Sequence, residues 1–234
     1  MRRLAAAAWA GRNGSVELIE GEPTQSRLRF PGPGAYDRTV SAGELPLLPI
    51  PRVLVPGTRA GLPSRRDDLR PGDPLVAVLR PSTGGWAFSP SVGTLALVEE
   101  VRLLGPEAFL LRLSGRRLVR LTEAGERAGR WWAKVAELPE PDLEAGPLVE
   151  AAEKALRRYF AVRAEAGEAG DLATALSRDP VTASHEVASY LRVSWPEVQD
   201  ILEAGSAAER LRRAQAVLER ETELLRRLLG REGA

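Results

Sequence analysis

Side chains keep one rhythm as far as Pro141 and another beyond Pro147. In the first stretch apolar residues alternate with polar ones or come in short runs. That is the period of a strand, whose successive side chains point to opposite faces. In the second they return every three or four residues, the period of a helix buried on one side. Pro139-Glu140-Pro141 and Pro147 stand at the change. Proline fixes φ and has no amide proton, so neither a ladder nor a helix runs through that junction. A chain divided in this way builds its sheet and its helices as successive blocks, and the expected fold class is α+β.

The sheet-forming part opens at Leu45–Gly57, where the apolar runs Leu45–Ile50 and Val53–Val55 are broken by Pro46, Pro49, Pro51 and Pro56. Within sheets proline is confined to edges, strand starts and bulges. The segment therefore reads as a strand that bends and ends in a Pro56-Gly57 turn. Leu75–Leu79 is continuously apolar, as in a strand covered on both faces. Val92–Leu104 is a longer strand, and Trp131–Leu138 is the last. Phe109–Leu113 and Leu118–Leu121 are expected to pair across a Ser114-Gly115 hairpin turn. Thr58–Gly72 contains Gly61, Pro63, Pro71 and Gly72, which would break a helix of several turns. Residues 1–42 form an N-terminal extension, either a hairpin of Val16–Glu20 with Arg27–Phe30 or a poorly ordered tail.

In the second part, Leu148–Ala166 sets Leu148, Ala152, Leu156, Tyr159 and Val162 on one helical face. Asp171–Leu176 and Val181–Leu191 are expected to be shorter helices. Ser194 with Glu197, and Ser206 with Glu209, have the spacing of capping boxes. The final helix, Ala207–Leu229, would be about 34 Å long at ~1.5 Å per residue. Its Leu211, Leu218 and Leu225 fall seven apart, a seam for neighbouring helices or for a second copy in a homodimer.

Several of these segments together resemble a known family. They are Leu45-Pro46-Leu47-Leu48-Pro49-Ile50, Val53-Leu54-Val55-Pro56-Gly57, Val92-Gly93-Thr94-Leu95-Ala96, Gln199-Asp200-Ile201-Leu202-Glu203 and Glu209-Arg210-Leu211. In order and spacing they resemble the LON substrate-binding domain, the N-terminal domain of the ATP-dependent protease Lon. The resemblance covers roughly residues 43–229. It departs at Val55, where the family favours Phe, and at Thr58–Gly72, where the family usually carries a helix. It implies a PUA-like β-barrel over residues 43–141 and an α-helical subdomain over 147–229 that ends in a long helix. It also implies a stand-alone, non-catalytic protein that binds unfolded or extended polypeptide, alone or with a protease or chaperone partner.

The residues themselves argue against the chemistry of the full protease. A P-loop needs Gly-x-x-x-x-Gly-Lys-Ser/Thr so that amides cradle phosphates and the lysine reaches them. Here Lys134 follows Ala133 and Lys154 follows Glu153. No Gly-x-Ser-x-Gly elbow occurs, and there is no cysteine to serve as nucleophile or thiolate ligand. His185-Glu186-Val187-Ala188-Ser189 is half of a His-Glu-x-x-His zinc motif, but Ser189 holds the second ligand position and His185 is the single histidine. It is read as a surface residue, and no metal, cofactor or catalytic residue is expected. A net charge of +1 gives no whole-chain pull toward nucleic acid or membrane. No apolar stretch approaches the 18 residues of a span, and the reading is of a cytoplasmic protein.

Aromatic residues concentrate in few places. Trp86 and Phe88 share a loop flanked by Gly84-Gly85 and Pro90, and Trp131-Trp132 are adjacent on a strand. Adjacent strand residues face opposite ways, so one tryptophan is core and the other is free to bind. The candidate peptide-binding residues are Trp86, Phe88 and Trp132, with Arg116, Arg117 and Arg120 as a basic rim. The alternative is a nucleic-acid-binding module, through the barrel or through a helix-turn-helix-like segment at 184–204. That segment's second helix carries Glu197, Asp200 and Glu203 and no basic residue, whereas phosphate contacts come mostly from Arg and Lys.

Overall fold

The computed structural model describes residues 44–80, 91–139, 145–168 and 175–232. Six strands come first: β1 (Glu44–Ile50), β2 (Arg59–Ser64), β3 (Pro74–Leu79), β4 (Val92–Gly105), β5 (Ala108–Arg127) and β6 (Arg130–Glu137). Four helices follow: α1 (Gly146–Glu165), α2 (Pro180–Tyr190), α3 (Trp195–Leu202) and α4 (Ala207–Glu232). The architecture is the mixed α+β one, with the two periods segregated along the chain.

The strand order is β2-β5-β4-β3-β1-β6, and β6 also pairs with β5. The pairings therefore run in a circuit through β1, β3, β4, β5 and β6, with β2 appended to β5. Only β1 and β3 are parallel, Leu47 opposite Val76 through Ile50 opposite Leu79. The seam between β1 and β6 is three pairs long, Glu44–Lys134, Leu45–Ala133 and Pro46–Trp132. The sheet is thus curled as in a PUA-like barrel, without a full-length closing ladder. β3 shows why its sequence does not alternate. Leu75 and Ala77 enter one apolar cluster, and Val76 and Val78 enter another on the opposite face.

A third cluster joins the helices to the sheet. It holds Val149, Leu156, Tyr159, Val187, Ile201 and Leu218 together with Val53, Val55, Val92 and Leu118. The side-chain amide of Gln199 on α3 donates to the Val92 carbonyl at 3.0 Å. α3 is thereby fixed against the start of β4. Its capping box is formed, with both the Ser194 and the Glu197 interactions present. At the head of α4 the Glu209 amide donates to Ser206 Oγ at 3.2 Å. Leu211 and Leu218 are buried within the chain's own core and Leu225 packs against it. The seven-residue repeat is therefore used internally.

Two local expectations are corrected, the Ser114-Gly115 turn and the surface position of His185, and Thr58–Gly72 gains a strand. The Ser114-Gly115 turn does not exist, because β5 runs unbroken through it for 20 residues. Gly115 instead marks a close approach. A Cβ there would lie 2.7 Å from the Val55 carbonyl oxygen, and the Gly57 and Gly115 amides bond across to the Gly115 and Thr58 carbonyls, each at 2.9 Å. The pairing shifts register here, from Leu95–Arg117 to Ala96–Gly115. Arg116 is the extra residue of a bulge. Thr58–Gly72 contains no helix, but Arg59–Ser64 forms a strand along β5, with Pro63 tolerated because β2 is an edge. His185 is buried, not on the surface. The residues of the N-terminal extension, and positions 171–174 of the expected helix Asp171–Leu176, lie outside those described; Leu176 itself is not helical.

Candidate functional site

Trp86 and Phe88 lie outside the described residues. Trp132 is half-buried on β6, opposite Gly125 of β5 and Pro46 of β1. Its ring fills the space that a side chain at 125 would need, since a Cβ there would come within 2.9 Å of the indole. The Arg127 guanidinium lies 4.2 Å from the ring centroid. It is held there by two bonds to the Glu44 carboxylate, at 2.7 and 3.1 Å. Lys134 stands 6.0 Å from the same ring and is paired with Glu123 at 2.6 Å. Trp132 is thus covered by a stacked cation. Trp131 faces the other way and packs against the cluster of Leu45, Val119 and Val135, as strand alternation requires.

The structure does not bring the basic rim to this tryptophan. Arg117 pairs with Glu137 at 2.9 Å, and Glu137 sits five residues along β6 from Trp132, roughly 16 Å at ~3.3 Å per residue. Arg116 is half-buried and Arg120 exposed. On α3, the second helix of the helix-turn-helix-like segment, Val198, Gln199, Ile201 and Leu202 are buried while Trp195 and Asp200 are exposed.

His185 belongs to a buried polar group in the helical part. The Arg210 side chain, fully buried on α4, donates from Nε to Ser184 Oγ at 3.0 Å. Ser184 donates in turn to the Val181 carbonyl at 2.7 Å. His185 Nε2 has no hydrogen-bond partner among the described residues. Burial, and secondarily the Arg210 charge, press its pKa down to about 3. The imidazole is therefore neutral at ordinary pH. Glu186 is buried next to it and accepts the Ser177 amide at 2.7 Å; burial raises its pKa. No cluster of three or more metal-ligating side chains occurs among the described residues, and no helix among them is long and apolar enough to cross a membrane.

Sequence reasoning passed over one surface. Leu103 and Leu104, at the end of β4, are 64% and 50% exposed. The signal is a pair of leucines directly before Gly105-Pro106, at the tip of a hairpin.

The described residues thus form a curled sheet leading into a helical block, with a buried polar group among the helices and an exposed apolar strand end. The chain belongs to the family of the ATP-dependent protease La (LON) substrate-binding domain, whose model matches residues 89–220. That span is narrower than the segment 43–229 over which motifs resemble the family, and it omits Leu45–Gly57. Among solved structures the chain is similar to the N-terminal domain of the Mycobacterium avium complex Lon protease, at 21% identity and a TM-score of 0.57, over 76% of this chain and 98% of that one. It is also similar to a Lon N-terminal domain protein from Xanthomonas campestris, at 21% identity and a TM-score of 0.51, over 74% and 98%. These likenesses establish the fold. No curated protein matches.

Proposed function

We propose that this protein is a non-catalytic binder of unfolded or extended polypeptide, acting as substrate receptor or adaptor. The observation that carries this reading is membership of a family defined by substrate binding, with the matched span running from β4 into α4. Trp86, Phe88 and Trp132 are the aromatic candidates for contact, and Arg116, Arg117 and Arg120 the basic ones. A labelled, permanently unfolded polypeptide, such as a reduced and carboxymethylated secreted protein, provides the test by fluorescence anisotropy. Saturable binding that persists at high salt supports the reading. Binding only to RNA, with affinity falling steeply as salt rises, would replace it. Hydrolysis of ATP or cleavage of peptide by the purified chain would remove the word non-catalytic. Double substitution of Trp86→Ala and Phe88→Ala tests the aromatic contacts, and unchanged affinity would discard them.

A further inference from the structure

The long ribbon made by β2, β5 and β4 has two edges, and they differ. On β2 the free edge carries Pro63, which has no amide proton. On β4, β3 pairs only from Thr94 to Leu97. The Val98 carbonyl accepts from Gly72 and the Val98 amide donates to Asp73. Beyond that point, among the described residues, no strand pairs with β4 on the side away from β5. Glu99–Gly105 contains no proline and presents unpaired peptide groups, which only another extended backbone can match in full.

The side chains along this edge specify what such a strand carries. Val101 stands opposite Leu111, and Leu111 opposite Leu62 of β2; this row is part of the sheet's apolar cluster. One step outward Leu103 stands opposite Phe109. That row continues the same face but is left open, with Leu103 64% exposed. Between them Arg102 points to the opposite face, opposite Leu110. The edge acids are already engaged, Glu99 with Arg59 at 3.1 Å and Glu100 with Arg112 at 3.2 Å. Arg102 is exposed and makes no ion pair with any described residue. Residues directly opposite in an antiparallel pair lie on the same face. A guest strand here has apolar side chains level with Val101 and Leu103 and an acidic one level with Arg102.

We propose that the free edge of β4 over Glu99–Leu103 is a β-augmentation site for an extended polypeptide with an apolar–acidic–apolar core. The proposal rests on the polypeptide-binding reading above and assigns that binding to the free edge of β4. The test uses two labelled nonapeptides of alternating threonine and valine, beginning with threonine, one with glutamate and one with lysine at the central position. It also uses a glutamate peptide N-methylated at alternate residues, which blocks backbone pairing. The full chain is compared with its Arg102→Glu and Leu103→Asp variants, each checked for an unchanged denaturation midpoint. The expected result has three parts. The glutamate peptide binds at least ten-fold tighter than the lysine peptide, Arg102→Glu reverses that order, and N-methylation or Leu103→Asp weakens binding at least ten-fold. Equal affinity for both peptides, or indifference to N-methylation, overturns the site. If the unfolded polypeptide binds wild type and both variants alike, the edge is wrong while the broader function stands. If it binds none of them, the broader function fails as well.

Discussion

The imidazole of His185, whose Nε2 has no partner among the described residues, makes a prediction that can be worked through. In the folded chain it is 8% exposed, and its pKa falls from 6.5 to about 3. Arg210 on α4 lies near enough to disfavour a second positive charge, while Asp179 at the cap of α2 opposes this weakly. The unfolded chain takes up a proton below pH 6.5 that the folded chain rejects. The stability tied to the neutral ring is present above pH 6.5 and is lost as pH falls toward 3. With ~1.4 kcal/mol per pKa unit, about 2 kcal/mol is gone by pH 5 and about 4 kcal/mol by pH 3. Against a total of ~5–15 kcal/mol for a typical domain, the first of these losses is readily measured.

The assay is urea denaturation at pH 7, 6 and 5, for wild type and for His185→Gln and His185→Leu. Other groups titrate too, so the difference between the curves is what counts. Asp68, Glu197 and Glu209 have pKa values lowered chiefly by bonds to Arg66, Arg220 and Arg213. Their losses fall below the ordinary carboxylate range. Glu186 runs the other way, gaining stability on acidification because burial raises its pKa. Both sets are common to wild type and variant and cancel. Wild type should lose about 2 kcal/mol more than the variants between pH 7 and 5. Parallel curves would show that the buried imidazole accepts its proton in the folded state, and the reasoning from burial would be wrong.

Gly115→Ala places a methyl group 2.7 Å from the Val55 carbonyl oxygen and should cost about 1–3 kcal/mol in urea, whereas Gly105→Ala, with nothing within 4 Å, should cost far less. Gln199→Leu removes the bond from α3 to the Val92 carbonyl and should lower stability by about 1–2 kcal/mol. Thr94→Val keeps the shape of a buried side chain but deletes its 2.5 Å bond to the Leu54 carbonyl; a similar loss of about 1–2 kcal/mol is expected, read as a shift in denaturation midpoint.

The change of period was legible because each block is long enough to average over local exceptions. The strands at Leu75–Leu79, Val92–Leu104 and Trp131–Leu138, and the helices at 148–166, 181–191 and 207–229, each appear within a few residues of the expected place. What escaped was information held in the partner of a residue. Ser114-Gly115 has the composition of a hairpin turn, but the glycine is needed because the Val55 backbone passes against it. Thr58–Gly72 looks like breakers alone, but an edge strand accepts Pro63 once β5 supplies the ladder on the other side. His185 follows Ser184 on a short helix, and nothing local says that Arg210, 26 residues beyond Ser184, closes over that pair. The surroundings of Trp132 are of the same kind, since the Arg127–Glu44 pair over its ring joins residues 83 apart.

These long-range partners bear on function, because they set how open each described surface is. Two tryptophans in a row attract notice in a sequence, yet β6 spends one on a core and the other beneath a cation that Glu44 holds in place. Leu103 and Leu104 are ordinary residues in composition and become distinctive only through topology. β3 ends its pairing at Leu97, while β4 continues to Gly105. A strand that outruns its neighbour leaves backbone donors and acceptors without partners, and bulk water satisfies them at the cost of an edge open to any extended chain. Natural sheets usually close such an edge with proline or charge. β2 does so with Pro63, and β4 places charge there but engages Glu99 and Glu100 with arginines of its own sheet, which leaves Arg102 to select among strands. The unequal lengths of β3 and β4 thus leave an edge that reads extended backbone first and the charge opposite Arg102 second.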